Sequence, residues 1–209
     1  PKDLKYLLDN TLGNRTGSAY YTYRDMLLEY TSIEDEILLE AIIQDCLVLD
    51  QFGTYNKNFV IENINKKYAL NLKFNDFNQN WRDNSHKKYF AFNETIDTLK
   101  KLKEKYRLAI ISNGDHDCQM KKLEKINVLD CVEEVIISSK CGIEKPNVGI
   151  FNLMLDKLNI KANEAVYVGD MFSKDILGAY NAGLKPIIIC SDINRVITEK
   201  VTRIERISD

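Results

Sequence analysis

The sequence lacks an excess of charge of either sign: 29 lysines and arginines stand against 31 aspartates and glutamates, giving a formal net charge of −2. A chain with this balance has no broad basic surface, so we expect no nucleic acid polymer as a partner. It also lacks any apolar run near the roughly 18 residues that a membrane span requires. No basic segment followed by an apolar stretch opens the chain, as in a secretory signal peptide. We therefore expect no membrane partner.

The sequence lacks the CxxC spacing of many metal and redox sites, and its five cysteines are odd in number. A chain of 209 residues can bury a core without disulfides. We therefore expect reduced thiols, packed mostly as small hydrophobic side chains, in a cytoplasmic protein. Neither histidine stands at ligand spacing from a cysteine, which argues against a zinc site. The five cysteines are Cys46, Cys118, Cys131, Cys141 and Cys190, and the two histidines are His86 and His116.

From residue 94 onwards, the sequence contains a regular alternation of helical patterns and short apolar runs. Such runs are typical of parallel strands that are buried on both faces. We predict an α/β fold with a doubly wound parallel sheet, in which ligands bind at the carboxyl ends of the strands. The predicted strands are residues 108–111, 134–137, 165–168 and 186–190, and the predicted helices are residues 94–106, 120–126, 148–158 and 173–181.

Between the first strand and residue 90, the apolar residues have helical spacing with little strand signal. We predict an inserted helical bundle of residues 16–89 within an α/β domain of residues 1–15 and 90–209. Most of its many aromatic side chains are expected in the bundle core, with one or two lining a substrate cleft. The predicted helices are residues 18–30, 33–48, 56–68 and 75–88.

Four polar segments follow predicted strands, and each suits phosphoryl transfer. That reaction requires neutralised charge on several phosphate oxygens and a nucleophile held in line with the leaving group. Because loops at the carboxyl ends of parallel strands meet at one edge of a sheet, we expect these segments to form one site. They are DNTL at residues 9–12, SNG at 112–114, KP at 145–146 and GDMFSKD at 169–175.

Two of these segments carry carboxylates. Asp170 and Asp175 follow an apolar run, and carboxylate oxygens suit Mg²⁺, which takes one or two of them and keeps several waters. The alternative is that Asp175 caps the next helix while Asp170 forms a turn. Asp9 can give a proton to a leaving oxygen and later accept one from water. Its alternative role is in a turn-forming Asp-Asn pair.

The other two segments can bind an anion. The hydroxyl of Ser112 and the amides of Asn113 and Gly114 can face a phosphate, because glycine allows a sharp turn of the backbone. Lys145 can supply a positive charge to the phosphate and the nucleophile. Its alternative is an ordinary surface lysine before a turn proline.

In combination and in this order, the four segments resemble the motifs of the haloacid dehalogenase (HAD) superfamily, specifically phosphatase-like members with a helical cap. The resemblance covers essentially the whole chain. It implies Mg²⁺-dependent hydrolysis of a small phosphorylated metabolite through an aspartyl-phosphate intermediate. The implied catalytic residues are Asp9 and Lys145, the implied phosphate-binding residues are Thr11, Ser112, Asn113, Gly114 and Lys145, and the implied metal site contains Asp9, Asp170 and Asp175.

The chain departs from this family at the nucleophile, because Leu7 stands where the resemblance requires an aspartate. The first strand also looks too short, since only Leu4 and Tyr6 precede Leu7 as apolar positions. An acidic residue between Leu7 and Leu8 would restore both the strand and the motif. Our hypothesis is that this position is omitted, as a chemically modified aspartate or a short gap.

Two alternatives to the phosphatase remain at this stage. A 2-haloacid dehalogenase shares the fold and the aspartate nucleophile but needs neither the acid at position 9 nor a metal. The other alternative is a catalytically inactive protein that binds phosphorylated ligands or a protein partner. The core motifs fit nucleoside monophosphates and sugar phosphates equally, and they are compatible with a monomer or a homodimer. Candidate substrate contacts are Asp115, His116, Asp117, Arg24 and Arg82.

Overall fold

The structure is a computed structural model that describes residues 9–73, 77–192 and 194–209, together with the backbone of residues 3–6. The chain forms two compact units. The first contains Pro1–Asn14 and Phe90–Asp209, and the second contains Arg15–Tyr89. The assignment of these units as a core domain and a cap domain stays a prediction.

The first unit contains a six-stranded parallel sheet with the strand order β3-β2-β1-β4-β5-β6. Its strands are β1 (Asp3–Tyr6), β2 (Leu108–Ser112), β3 (Glu134–Ile137), β4 (Ala165–Gly169), β5 (Lys185–Ile189) and β6 (Thr202–Ile204). From β1 the chain proceeds outwards to β2 and β3, and it then builds the other half of the sheet from β4 to β6. The crossover direction therefore switches between β1 and β4, where doubly wound sheets bind ligands. This confirms the predicted fold class.

The helices alternate with the strands in the first unit and follow one another in the second. The second unit contains α1 (Arg15–Tyr30), α2 (Glu36–Asp50), α3 (Lys57–Tyr68) and α4 (Phe77–Asn84). The first unit contains α5 (Thr95–Lys103), α6 (His116–Lys125), α7 (Ser138–Cys141), α8 (Val148–Leu158) and α9 (Leu177–Asn181). In the described part of the chain, no helix is long and apolar enough to cross a membrane.

The core of the first unit forms around the two strands β2 and β4. Every residue of both strands is buried, as expected when helices cover both faces of a parallel sheet. Phe151 of α8 packs edge-on against Tyr167 of β4, with 5.1 Å between ring centroids. Burial of these large side chains supplies the main stabilisation of the unit.

Several element boundaries in the first unit differ from the predicted ones, and the hydrogen bonds explain two of the differences. The helix predicted at 173–181 begins as a turn of π-helix, Phe172–Ile176, because the amide of Ile176 donates to the carbonyl of Met171, five residues earlier, at 3.4 Å. The helix predicted at 120–126 begins earlier, at His116, because the Asp115 side chain accepts from the amide of Cys118. The strand β6 has no counterpart among the predicted elements.

The second unit is a helical bundle with its own apolar core. Side chains from α1, α2, α3 and α4 form one buried cluster, which includes Tyr23 and Phe77. The Asp50 carboxylate is also buried there, and it accepts hydrogen bonds from Arg15, Lys57 and the hydroxyl of Tyr23. Two cations and a hydroxyl thereby compensate the desolvation of this carboxylate.

The aromatic residues that we expected mostly in the bundle core are divided between the core and the surface. Tyr23 and Phe77 are buried in the core, and Tyr20, Tyr68 and Trp81 pack against it. Among those that the structure describes, several are exposed, namely Tyr21, Tyr30, Phe52, Tyr55 and Phe59. All five cysteines of the chain are free thiols, and four of them are buried.

Candidate active site

The candidate site lies in the first unit, at the carboxyl ends of its central strands. Ser112 is the last residue of β2, and Asp170 comes directly after β4. Asp9 follows β1, the strand between them. The topology therefore brings together the segments that the sequence analysis selected.

The loop after β1 is held by the chain that returns from the second unit. Asn10 has a positive φ of 53°, which asparagine tolerates well, and its amide donates to the carbonyl of Gly13 at 2.8 Å. The hydroxyl of Thr95 donates to the carbonyl of Leu12 at 2.8 Å. These bonds fix the loop that carries Asp9.

Two side chains of α6 hold the Asp9 carboxylate. The Nζ of Lys122 lies 3.1 Å and 3.2 Å from its two oxygens, and Nε2 of Gln119 lies 3.3 Å from one of them. The sequence analysis missed both residues. The available signal was their spacing, because positions i and i+3 of a helix lie on one face, here in the helix that follows the SNG segment.

The SNG segment is tied to neighbouring loops. The Asn113 side chain accepts from the amide of Lys145 at 2.9 Å and donates to its carbonyl at 3.1 Å. Gly114 has a φ of 131°, a conformation that favours glycine, and its amide donates to the hydroxyl of Ser138 at 3.0 Å. The amide side chain of Asn113 and the backbone N–H of Gly114 are therefore used within the protein. The hydroxyl of Ser112 and the backbone N–H of Asn113 are the groups of this segment that can still face an anion.

Lys145 is buried, with 4% of its surface exposed, so the alternative of an ordinary surface lysine is wrong. Its Nζ donates to Asp175 at 2.7 Å and to the Tyr167 hydroxyl at 3.1 Å. Burial and the Asp175 carboxylate raise the pKa of Tyr167 well above its ordinary value, so the hydroxyl stays neutral. The sequence analysis did not select Tyr167, because an aromatic residue in an apolar strand has the pattern of a core residue.

Asp175 is fully engaged by the protein. One oxygen accepts from Lys145, and the other accepts from the amide of Met171 at 2.9 Å. A side chain at Gly169 would place its Cβ 2.5 Å from the Cβ of Asp175, which is closer than two carbon atoms can approach. The glycine at the end of β4 therefore makes room for this carboxylate.

Asp170 is the carboxylate that the protein compensates least. It is partly buried and accepts a hydrogen bond from Nδ2 of Asn10 at 3.2 Å. Burial, followed by repulsion from Asp175, raises the pKa of Asp170 from 3.8 to about 7, against the opposing effects of Asn10 and Lys145. A cation beside Asp170 would offset the electrostatic cost of ionising this buried carboxyl.

The donor set at Asp170 fits Mg²⁺, which takes one or two protein carboxylates and fills its other positions with water and phosphate oxygens. Within the described residues there is no group of three acidic, histidine or cysteine side chains arranged to hold a metal. Asp9 and Asp175 each contact a lysine instead. Their direct binding to the metal stays a prediction.

The remaining predicted contacts lie as follows. Thr11 is fully buried, and its hydroxyl has no hydrogen-bond partner among the described residues. Asp115 caps α6, and His116 contacts Asp117 at 3.1 Å. In the second unit, Arg24 binds Glu36 and Arg82 binds Gln79. Leu7 and Leu8, where we expect the omitted acid, lie outside the described residues.

The sequence is similar to curated phosphatases over about half of its length. It is 39% identical over 113 residues to glyceraldehyde 3-phosphate phosphatase from Methanothermobacter thermautotrophicus, covering 54% of this chain and 50% of that protein. It is 36% identical over 108 residues to ribulose-1,5-bisphosphate 5-phosphatase from Halopiger xanaduensis, covering 51% of this chain and 45% of that protein. The chain thus spans about half the length of these curated relatives.

The fold also matches a solved structure, and a family profile matches most of the chain. YfnB from Bacillus subtilis, a HAD hydrolase solved bound to magnesium, superposes with a TM-score of 0.80 at 17% identity, covering 99% of this chain and 95% of that chain. At this identity, the likeness shows the fold alone. The profile of haloacid dehalogenase-like hydrolases matches residues 7–189. The chain therefore belongs to the haloacid dehalogenase-like hydrolase family.

Proposed function

We propose that the protein is a Mg²⁺-dependent phosphatase that hydrolyses a small phosphorylated metabolite through an aspartyl-phosphate intermediate. One observation carries the proposal: the buried Lys145–Asp175 pair and Asp170, the least compensated carboxylate of the site, lie at the same sheet edge as Asp9. Phosphoryl transfer needs positive charge near the phosphate, a site for the metal and a proton donor. These residues supply that combination.

Each residue has a distinct role in the proposed reaction. The hydroxyl of Ser112 and the ammonium of Lys145 bind phosphate oxygens, and Asp170 holds the metal. When bound, Mg²⁺ supplies positive charge against the phosphoryl oxygens. Asp9 gives its proton to the leaving oxygen as the phosphorus–oxygen bond breaks, and it then accepts a proton from the attacking water. Asp175 keeps Lys145 in place.

The nucleophile is the acidic residue that we propose between Leu7 and Leu8. Its carboxylate oxygen bonds to phosphorus while the leaving oxygen departs with the proton of Asp9. Water then attacks the phosphorus, the bond between the carboxylate and phosphorus breaks, and phosphate is released. In a proteolytic digest of the native protein, the mass of the peptide that contains Leu7 and Leu8 tests whether this residue is present.

The proposed substrate class is a phosphorylated sugar or a similar small phosphate ester. Partial similarity to the glyceraldehyde 3-phosphate and ribulose-1,5-bisphosphate phosphatases supports this choice. One observation favours the second candidate, a catalytically inactive binding protein, namely that Leu7 stands at the position of the nucleophile. The acid at position 9 and the Asp170 site argue against a dehalogenase.

Hydrolysis of a panel of phosphate esters, measured with and without Mg²⁺, tests the proposal. We expect turnover of at least one small ester, loss of turnover on chelation and recovery when Mg²⁺ is added. The matched variant Asp9→Asn should reduce turnover on the order of 10²-fold. No hydrolysis of any ester would favour the binding protein, and chloride release from 2-haloacids would favour the dehalogenase.

A further inference from the structure

The side-chain amide of Gln119 joins two loops of the candidate site. It lies on α6 with 4% of its surface exposed. Its Nε2 lies 2.8 Å from Oγ of Ser112, 2.9 Å from the carbonyl oxygen of Asn113 and 3.3 Å from a carboxylate oxygen of Asp9. One buried nitrogen is thus close to acceptors from the loops after β1 and β2.

These three acceptors fix the orientation of the amide. If the side chain were reversed, Oε1 would face the carbonyl oxygen of Asn113, which has no proton to donate, and the Asp9 carboxyl, which has none while it is ionised. When Nε2 faces these acceptors, its two hydrogens are used in the two shorter contacts, to Oγ of Ser112 and to the carbonyl oxygen of Asn113. Oε1 of Gln119 is then buried, and it has no hydrogen-bond partner among the described residues.

This orientation determines the role of the Ser112 hydroxyl. Because Oγ accepts a hydrogen bond from Gln119, it must direct its own proton elsewhere. Inside the protein that proton can reach the carbonyl oxygen of Asn113 at 3.3 Å, a long contact to an oxygen that already accepts from Gln119 at 2.9 Å. The proton of Ser112 is therefore available to a phosphate oxygen.

We propose that Gln119 is a positioning residue. It orients the Ser112 hydroxyl as a donor to the bound phosphoryl group, and it fixes the position of that hydroxyl relative to the Asp9 carboxyl. The inference rests on the proposed function, because it requires a phosphoryl group at Ser112. A buried amide with an unpaired oxygen is a poor structural choice, since an apolar side chain of similar length would leave no unpaired oxygen. Its direct contacts are with proposed phosphate and proton-transfer groups.

The test compares Gln119→Met with the wild type and with Lys121→Met, an exposed position on the same helix. Steady-state kinetics give kcat and KM, and calorimetry gives the affinity for inorganic phosphate in the absence of turnover. We expect Gln119→Met to lower kcat/KM about 10- to 100-fold and to weaken phosphate binding about 10-fold. Lys121→Met should leave both unchanged, and the melting temperatures should show that both variants are folded.

A double-mutant cycle with Ser112→Ala separates positioning from a structural role. If Gln119 acts through the Ser112 hydroxyl, Gln119→Met should weaken phosphate binding less than about threefold once that hydroxyl is absent. A purely structural role would give the same loss in both backgrounds. Equal losses, or wild-type kcat/KM and phosphate affinity in Gln119→Met, would overturn the inference.

The same measurements distinguish this inference from the proposed function. If the wild type hydrolyses no ester but binds phosphate, and Gln119→Met weakens that binding, only the proposed function is contradicted. If the wild type hydrolyses esters and Gln119→Met behaves like it, only the role of Gln119 is contradicted. If the wild type does not bind phosphate at all, both are contradicted.

Discussion

The Nζ of Lys122 lies 3.1 Å from one carboxylate oxygen of Asp9 and 3.2 Å from the other, with 9% of the Lys122 side chain and 22% of the Asp9 side chain exposed. Because the nitrogen is almost equidistant from both oxygens, the contact limits rotation of the carboxylate as well as its position. The helix after β2 thereby controls the acid that follows β1. In the proposed reaction, Lys122 would therefore help to fix the geometry of proton transfer by Asp9.

Replacing Lys122 should affect the reaction more than the fold. We expect Lys122→Met to lower kcat about 10-fold or more, because Asp9 loses the cation that holds it. Lys122→Arg should recover part of this loss, since it retains the charge. Lys125→Met, an exposed position on the same helix, is the control. Steady-state kinetics check the prediction, and a wild-type kcat in Lys122→Met would contradict it.

The buried Lys145–Asp175 pair should be costly to break from one side. Lys145→Met leaves the Asp175 carboxylate buried without its cation, so we expect the free energy of unfolding to fall by about 3–5 kcal/mol. The double variant Lys145→Met/Asp175→Asn removes both charges and should recover much of that stability. Urea unfolding monitored by circular dichroism measures both effects.

Lys145→Met and the double variant Lys145→Met/Asp175→Asn should differ in stability but not in activity. Neither retains the ammonium group that we propose binds phosphate, so the double variant should be folded and inactive. A double variant no more stable than Lys145→Met would show that charge pairing does not control stability at this position. An active double variant would remove Lys145 from the proposed mechanism.

The raised pKa of Asp170 should make stability depend on pH in the metal-free protein. Between about pH 4 and about pH 7, the folded state holds a proton that the unfolded state has released. Stability therefore falls as the pH rises, by up to about 1.4 kcal/mol per pH unit, and the loss is complete above the folded pKa. Melting temperatures measured across this range in a chelating buffer test the effect.

Asp170→Asn should abolish this contribution, so its stability should decline less between about pH 4 and about pH 7 than that of the wild type. Asp156→Asn, an exposed position of α8, provides the control. Addition of Mg²⁺ at pH 8 should stabilise the wild type and have a smaller effect on Asp170→Asn. Parallel pH profiles for the wild type and Asp170→Asn would contradict the assignment.

The main strands of the core could be predicted because each apolar run is short and ends at a polar loop. For example, residues 134–137 were predicted as a strand and form β3 with the same bounds. The strand β6 could not be predicted in this way, since it has only three residues and Arg203 lies at its centre. Its pairing with β5 is a tertiary interaction rather than a local preference.

The candidate site was predictable only where a residue belongs to a distinctive loop. Ser112 ends β2 and Asp170 directly follows β4. Lys145 belongs to a recognisable Lys-Pro segment, and its Nζ reaches the carbonyl of Ile111 in β2 at 3.4 Å. Gln119 and Lys122 could not be identified locally, because a glutamine and a lysine on a charged helix have the pattern of a solvated surface. Their burial depends on how α6 packs beside the loop after β1, which only the assembled fold reveals.

The glycine at the end of β4 provides a test of how tightly the site is packed. In Gly169→Ala, the new Cβ would lie 2.5 Å from the Cβ and 2.7 Å from the Cγ of Asp175, so one of the two segments must move. Asp175 is buried and bonded on both oxygens, so it cannot rotate away without losing contacts to Lys145 or Met171. We expect a loss of about 1–3 kcal/mol in stability from this overpacking.

Gly169→Ala should also lower the affinity for inorganic phosphate, because displacement of Asp175 moves the ammonium of Lys145. Gly149→Ala is the matched control: its closest approach is 3.1 Å, to the side-chain oxygen of Asn147, and an alanine favours the helix. Urea unfolding and phosphate calorimetry on both variants separate the two effects. If Gly169→Ala loses stability but keeps wild-type phosphate affinity, then the position of Lys145 does not depend on Asp175, and the pair stabilises the fold without organising the site.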